Sequence, residues 1–208
     1  MSKITAAITA VGAYVPEYVL TNKILETMVD TNDEWITTRT GIKERRILKG
    51  EGKGTSYLAI KAAQNLIAKK GIDPKEIELV IVATATPDMK AASTSAFTAT
   101  KIGATNAFSF DLEAACSSFL YGMSVAARYI ESGKYKKVLL IGADKNSSMI
   151  NYKDRATCII FGDGAGAVLF ELNEDELGLQ DEYLRTDGSG REFHELLSLS
   201  GMAFRLYP

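Results

Sequence analysis

The sequence has little of several things, and each shortage excludes a class of function. Its 208 residues contain one histidine and two cysteines, too few donors for a metal site with three or four ligands at useful spacing. Two cysteines form no disulfide framework, which favours a reducing cytoplasm. No run of about 18 uncharged apolar residues is present to cross a membrane. The N-terminus also lacks the long apolar segment of a secretory signal.

Net charge is nearly absent as well. The 24 Lys and Arg residues against 26 Asp and Glu residues give a formal charge of -2. Nucleic acids and anionic membranes bind basic faces, so we expect neither as a partner. Apolar residues make up 46% and charged residues 24%, the balance of a globular protein with enough apolar material to cover a sheet on both faces.

The middle of the chain alternates strands with helices. Residues 79–83 and 137–142 are apolar without alternation, which is typical of strands buried on both faces of a parallel sheet. This βαβ pattern predicts an α/β fold with a mostly parallel mixed sheet. The other predicted elements are a strand at 4–11 closed by Gly12, helices at 22–29, 31–40, 55–70, 94–102 and 117–132, a strand at 107–112 and a solvated loop at the charged run 43–46.

Gly162, Gly164 and Gly166 look superficially like a dinucleotide-binding fingerprint. That fingerprint needs a helix N-terminus after the glycines to hold the pyrophosphate, whereas another β-branched apolar run follows here. We therefore interpret the glycines as the turn of an antiparallel hairpin between residues 159–161 and 167–170.

Cys116 is the residue best placed for covalent chemistry. It lies four residues after the predicted strand 107–112 and directly before the helix predicted from Ser117. The positive end of a helix dipole and its free N–H groups stabilise a thiolate and an oxyanion, so attack on a thioester or ester carbonyl would be assisted twice. Small neighbours leave room for a substrate tunnel, namely Ala114, Ala115, Ser117 and Ser118.

Both cysteines also have a structural interpretation. Most free cysteines are small buried apolar residues, and this alternative stays open for Cys116. It is the interpretation we adopt for Cys158, which lies in a predicted strand. Trp35, the only tryptophan, is followed one helical turn later by Arg39. The pair is either a core aromatic with a solvated arginine or a flat surface for adenine with a guanidinium for phosphate.

Three segments, in this order along the chain, resemble the β-ketoacyl-acyl-carrier-protein synthase III family. The first carries DTNDEWI, TRTGI and ER between Asp30 and Arg45. The second is DLEAACSSF at 111–119, around Cys116, and the third carries DRAT and IFGDGAGA at 154–167. The resemblance extends from about Lys3 to about Gly190.

The resemblance implies a thiolase-like fold, layered α-β-α-β-α, that forms a homodimer. Residues 1–172 would be the N-terminal half that carries the nucleophile, and residues 173–208 would be a linker and the start of a truncated second half. It also implies initiation of fatty-acid synthesis, in which an acyl group moves from acyl-CoA to a cysteine and is then condensed with malonyl-acyl-carrier protein with loss of carbon dioxide. Coenzyme A thioester is then a substrate, and no other cofactor is implied.

By matching position, the resemblance assigns roles to six residues. Cys116 is the acyl-accepting nucleophile, and Trp35 and Arg155 bracket the adenine of coenzyme A. Arg39 reaches the phosphates, with Thr31 and Thr40 as hydrogen-bonding neighbours.

Family members are longer, and their second half carries a catalytic histidine and asparagine. The single histidine here, His194, does not match their His-Gln-Ala-Asn segment. Two alternatives therefore stay open, a non-catalytic or truncated partner subunit and a related acyltransferase of specialised metabolism. Residues 90–93 lack the proline that family members often have before the serine, which leaves the acyl-chain preference open.

Overall fold

A computed structural model describes residues 4–175 and 177–189. Its strands form a five-stranded sheet in the order β1-β7-β6-β4-β5 and a separate two-stranded antiparallel sheet of β2 and β3. The strands are β1 (Thr5–Tyr14), β2 (Tyr18–Thr21), β3 (Glu44–Ile47), β4 (Leu79–Ala83), β5 (Phe108–Leu112), β6 (Lys137–Lys145) and β7 (Asp163–Asn173). The helices are α1 (Asn22–Leu25), α2 (Asp33–Thr40), α3 (Thr55–Lys70), α4 (Thr94–Ile102) and α5 (Ser118–Glu131).

The five-stranded sheet is mixed but mostly parallel, as predicted. Strand β4 pairs in parallel with both β5 and β6, while β7 runs antiparallel to β6 and to β1. Four of the five strands therefore point the same way. Their carboxyl ends meet at one edge of the sheet, where the loops that follow them can build a common site.

Helices cover both faces of this sheet, which gives three layers, α-β-α. On one face α3 and α4 pack against alternate side chains of the strands, including Val80, Leu139 and Leu169. On the other face α5 packs against the intervening positions, including Ile81, Leu140 and Phe170. The period of two along each strand sends successive side chains to opposite cores, which explains the unbroken apolar runs.

A third, smaller core lies beyond the edge of the sheet. It joins the two-stranded sheet of β2 and β3, together with α1 and α2, to the segment that precedes β7. Its buried members are Leu20, Leu25, Ile36, Ile47, Cys158 and Ile159.

The elements with a clear apolar period and a terminal glycine agree with the predictions. The helices α3 and α4 end at Gly71 and Gly103, both in the left-handed conformation that glycine adopts at little cost. The helix predicted at 22–29 is shorter, since α1 ends at Leu25 and turns follow.

Three predictions are wrong. Gly12 does not close β1 but lies within it, where a Cβ atom would meet the Ala62 carbonyl oxygen at 2.5 Å, so the strand can approach α3 only because the residue is glycine. The charged run 43–46 is not a loop, because residues 44–47 form β3 and Arg45 is buried. The glycines at 164 and 166 form no hairpin turn, because they lie inside β7 between β1 and β6.

The chain after β7 packs back on the sheet and on α5. The Thr5 hydroxyl donates to the Leu177 carbonyl at 2.6 Å, and Arg128 on α5 forms an ion pair with Glu182 at 2.8 Å. The division at 172/173 stays a prediction, and His194 lies outside the described residues. Among the helices described, none has the length and apolar character needed to cross a bilayer.

Candidate active site

Cys116 lies at the carboxyl edge of the sheet, between β5 and α5. It is the middle residue of a short 3-10 turn, Ala115–Ser117, and α5 begins at Ser118. Its side chain is exposed and unpaired with any other cysteine, whereas Cys158 is fully buried in the third core. The exposure contradicts the buried apolar alternative for Cys116. The substrate tunnel expected from the small neighbours stays a prediction.

The turn that carries Cys116 is fixed by its neighbours. The Ala114 N–H donates to the Ser118 hydroxyl at 2.6 Å, and the Ala115 N–H donates to the Glu113 carboxylate at 3.0 Å. Ala115 has φ 48°, the one non-glycine residue with positive φ in the described chain. Such strained conformations are retained where the surrounding structure imposes them, commonly at active sites. Sequence reasoning missed this strain, since alanine gives no signal for it.

Two carboxylates order the loops beside the cysteine turn. Both oxygens of Asp111, at the end of β5, accept hydrogen bonds of 2.7 Å from the backbone N–H groups of Thr94 and Ser95 at the start of α4. Asp144, at the end of β6, accepts hydrogen bonds from the Ala85 N–H and the Thr86 hydroxyl. The loop after β4 and the start of α4 are therefore fixed to the strands that flank them.

Trp35, Arg39 and Arg155 come together in the structure. Helix α2 is capped by Asn32, whose side chain accepts from the Trp35 N–H, and its last turn carries Arg39. The Cζ atoms of Arg39 and Arg155 lie 4.4 and 4.5 Å from the centroid of the Trp35 ring, which is cation–π distance. Arg155 also donates to the Asp30 carbonyl at 3.0 Å. Two positive charges thus flank one flat aromatic surface.

The space between Trp35 and Arg155 is closed. An aromatic ring placed between them needs two contact distances of about 3.5 Å each, roughly 7 Å in all. The observed 4.5 Å is smaller, so the Arg155 side chain has to move outward to admit an adenine. Since Arg155 is exposed, the movement requires only the loss of its contacts with Asp30 and the indole.

The two threonines differ in what their hydroxyls do. Thr31, immediately before the cap of α2, has a buried hydroxyl without a hydrogen-bond partner in the described chain, which leaves its bonding capacity unmet. The Thr40 hydroxyl already donates to the Ile36 carbonyl and accepts from the Ile42 N–H. A ligand contact for Thr40 stays a prediction, and only its second lone pair is available for one.

Comparisons with known proteins give the family of the chain. The family model of 3-oxoacyl-[acyl-carrier-protein] synthase III matches residues 110–188. A β-ketoacyl-[acyl-carrier-protein] synthase III of Bacteroides thetaiotaomicron is 58% identical over 93% of this chain and 58% of its own length. A protein of the same name from Porphyromonas gingivalis is 53% identical over 98% of this chain and 60% of its own length.

Solved structures show the same likeness. The β-ketoacyl-[acyl-carrier-protein] synthase III of Thermus thermophilus superposes with a TM-score of 0.85 at 42% identity, covering 89% of this chain and 57% of that one. The enzyme from Aquifex aeolicus superposes with a TM-score of 0.79 at 46% identity, covering 82% and 55%.

The α-β-α layers, with a cysteine turn at the carboxyl edge of a mostly parallel sheet, have the thiolase fold that the resemblance predicted. More narrowly, the chain belongs to the β-ketoacyl-acyl-carrier-protein synthase III family and corresponds to its N-terminal portion. It spans about 58% of the length of its Bacteroides relative.

Proposed function

We propose that this chain carries the acyl-accepting site of a β-ketoacyl-acyl-carrier-protein synthase III. Cys116 takes an acyl group from acyl-CoA, and the acyl group is then condensed with malonyl-acyl-carrier protein to begin a fatty-acid chain. The observation that carries the proposal is the exposed Cys116 thiol on a strained turn before α5. An inert structural cysteine would need neither the exposure nor the strain.

The acylation step uses groups that the chain provides. The Cys116 thiolate attacks the thioester carbonyl, and the carbonyl electron pair moves onto oxygen. The Ser117 and Ser118 N–H groups already donate to the Ala114 and Ala115 carbonyls, so stabilisation of that oxyanion is assigned to the positive end of the α5 dipole. When the tetrahedral intermediate collapses, the carbon–sulfur bond to coenzyme A breaks, and the released thiolate takes up a proton. The product is an acyl thioester on Cys116, and no redox cofactor is consumed.

The nucleotide end of coenzyme A is assigned to Trp35 and the two arginines. Adenine lies between the indole and the Arg155 guanidinium, and Arg39 is placed for the phosphates, which a guanidinium binds in a bidentate manner. The unpartnered Thr31 hydroxyl supports a further hydrogen bond at this end. These contacts hold the thioester by parts of the substrate that do not react.

Condensation is assigned to a protein that also carries the His-Gln-Ala-Asn segment of the family, which these 208 residues do not contain. We therefore propose that the 208 residues alone accept an acyl group slowly and do not condense it. The homodimer is part of the same proposal. Strand β5 is an edge of the sheet with Phe108 exposed at its start, and an unpaired edge is a surface that pairs with another chain.

A non-catalytic partner subunit is the second candidate. It is favoured by the apolar side chains left uncovered on the α5 side of the sheet, namely Ile8, Val11 and Leu120. An acyltransferase of specialised metabolism stays open too, because a solved priming β-ketosynthase of a polyketide pathway is 36% identical with a TM-score of 0.78. The thioester that accepts the acyl group distinguishes such an enzyme from one that begins a fatty-acid chain.

The free thiol state of both cysteines supports a cytoplasmic location.

Release of free coenzyme A from acetyl-CoA tests the proposal. The chain is expected to release one equivalent, and Cys116→Ser to slow release by roughly 1,000-fold. Cys158→Ala is the matched control and should release coenzyme A as the unmodified chain does, since that sulfur is buried. No release by the unmodified chain favours the non-catalytic candidate. Ketoacyl product from these 208 residues and malonyl-acyl-carrier protein would contradict the assignment of condensation to a longer protein.

A further inference from the structure

Arg45 on β3 carries a buried charge. It is 4% exposed, and in the part of the chain that the structure describes it forms no ion pair with a carboxylate. Burial lowers the pKa of its guanidinium from the usual value, which shows the cost of placing a cation there. Buried charges are retained where hydrogen bonds compensate them, so the partners of Arg45 indicate what it does.

One set of donors holds the segment that carries Arg155. The Arg45 Nε atom donates to the Ile159 carbonyl at 2.9 Å, and Nη2 donates to the same oxygen. Ile159 is four residues beyond Arg155 and belongs to the third core. Two donors on one acceptor fix this backbone position in direction as well as in distance, because the guanidinium is a rigid plane.

The remaining donor reaches α2 through Asn22. Arg45 Nη1 donates to the Asn22 side-chain oxygen, and Asn22 is itself 2% exposed. The Asn22 Nδ2 group then donates to the Asp33 carboxylate at 2.7 Å and to the Ile42 carbonyl at 2.8 Å. Asp33 is in the first turn of α2 and Ile42 follows its end, so one amide holds both ends of the helix that carries Trp35.

We propose that Arg45 is a positioning residue for the nucleotide end of coenzyme A. It sets the separation between Trp35, on α2, and Arg155, in the segment that precedes β7. The proposal rests on the function proposed above. Arg45 does not touch the ligand. It connects two segments more than 100 residues apart in sequence, whose facing side chains have to accept an adenine between them. Lysine cannot replace it, since a point charge with three donors does not reproduce the fork.

The test uses Trp35, the only tryptophan of the chain, as its own reporter. Its fluorescence is titrated with coenzyme A in the unmodified chain, in Arg45→Lys and in Arg46→Lys. Arg46 is the next residue on the same strand, with a side chain 41% exposed, and serves as the matched control. We expect the dissociation constant to rise about tenfold in R45K, from the loss of charged hydrogen bonds, and to stay unchanged in R46K.

A second readout separates positioning from general stability. Acylation of Cys116 is followed with acetyl-CoA and with S-acetyl-N-acetylcysteamine, a short thioester without a nucleotide. If Arg45 positions the nucleotide site, the R45K substitution lowers the rate of Cys116 acylation about tenfold more with subsaturating acetyl-CoA than with the short thioester. Equal losses with both substrates, or an unchanged dissociation constant, would overturn the inference and leave the proposed function intact. No saturable response in the unmodified chain would instead overturn the proposed coenzyme A site and the inference with it.

Discussion

On the face of the sheet that α3 and α4 cover, the side chains of Val80, Leu139 and Leu169 are fully buried. On the opposite face, α5 buries Ile81 and Leu140 equally well, and also Ala6 at the start of β1, but it does not cover the apolar side chains further along that strand. There Ile8 is 46% and Val11 59% exposed, although both are large and apolar. The two faces of one sheet therefore differ in how much of their apolar surface is covered within this chain.

The difference separates stability from function. The covered face has a complete core, so substitutions of residues in that core should change the free energy of unfolding. The partly covered face is the one on which α5 packs, directly after the cysteine turn, and its free apolar area is where the further layers of an α-β-α-β-α arrangement would pack. Substitutions in that area should change association and leave the stability of this chain nearly unaltered.

The sharpest comparison uses two glycines on adjacent strands, one facing each side. A Cβ atom on Gly12 would meet backbone atoms of α3 at 2.5–2.6 Å, whereas a Cβ atom on Gly166 would meet nothing within 4 Å. Gly12→Ala should therefore lower the free energy of unfolding by about 3 kcal/mol, because neither strand nor helix can yield cheaply. Gly166→Ala should change it by less than about 0.5 kcal/mol. Urea denaturation of both variants measures the pair, and equal losses would show that the two faces do not differ.

The second prediction concerns the edge of the covered face, where Glu171 on β7 meets two lysines. Burial by itself raises the pKa of Glu171, but hydrogen bonds from Lys70, Thr9 and Lys137 outweigh it and lower the pKa from 4.5 to about 2. A carboxyl whose pKa is lower in the folded state stabilises the fold above its unfolded pKa. That contribution is lost as the pH falls from about 4.5 to 2.

We expect the loss to be about 2 kcal/mol, reduced from the full shift because the Lys70 side chain is 31% exposed. Urea midpoints between pH 5 and pH 2.5 measure it. In Glu171→Gln the decline over this range should be shallower by that amount. An unchanged decline would mean that the ion pairs of Glu171 contribute nothing to the free energy of unfolding.

The smallest effect on stability is expected on the uncovered face. Val11→Ser removes an exposed apolar side chain, so the free energy of unfolding should change by less than about 0.5 kcal/mol. Self-association, followed by sedimentation velocity over a concentration series, should decrease. A marked loss of stability without a change in association would show that Val11 is already covered within this chain.

The parts of the fold that the sequence predicts are those whose signals are local. The bounds of α3, α4 and β4 follow from apolar spacing and from glycines at helix ends. The failures involve distant partners. Residues 43–46 look like a solvated loop because β2, the strand that pairs with β3, lies two helices earlier, and Ile159, which accepts from the buried Arg45 side chain, is 114 positions away.

The candidate site divides in the same way. The place of Cys116 between a strand and a helix is a local pattern and was predicted from the residues. The contact of Arg155 with Trp35 joins two segments far apart in the chain and came only from the family resemblance. The left-handed conformation of Ala115 was not predicted, because it is imposed by the turn around it and not by alanine itself.

The central claim is that the sulfur of Cys116 accepts the acyl group. Peptide mapping by tandem mass spectrometry after incubation with acetyl-CoA and rapid acid quenching locates the label directly. The account predicts one acetyl group, on the peptide that contains Cys116 and on its sulfur. Acetyl found on Cys158 or only on lysines, with Cys116 unmodified, would contradict it.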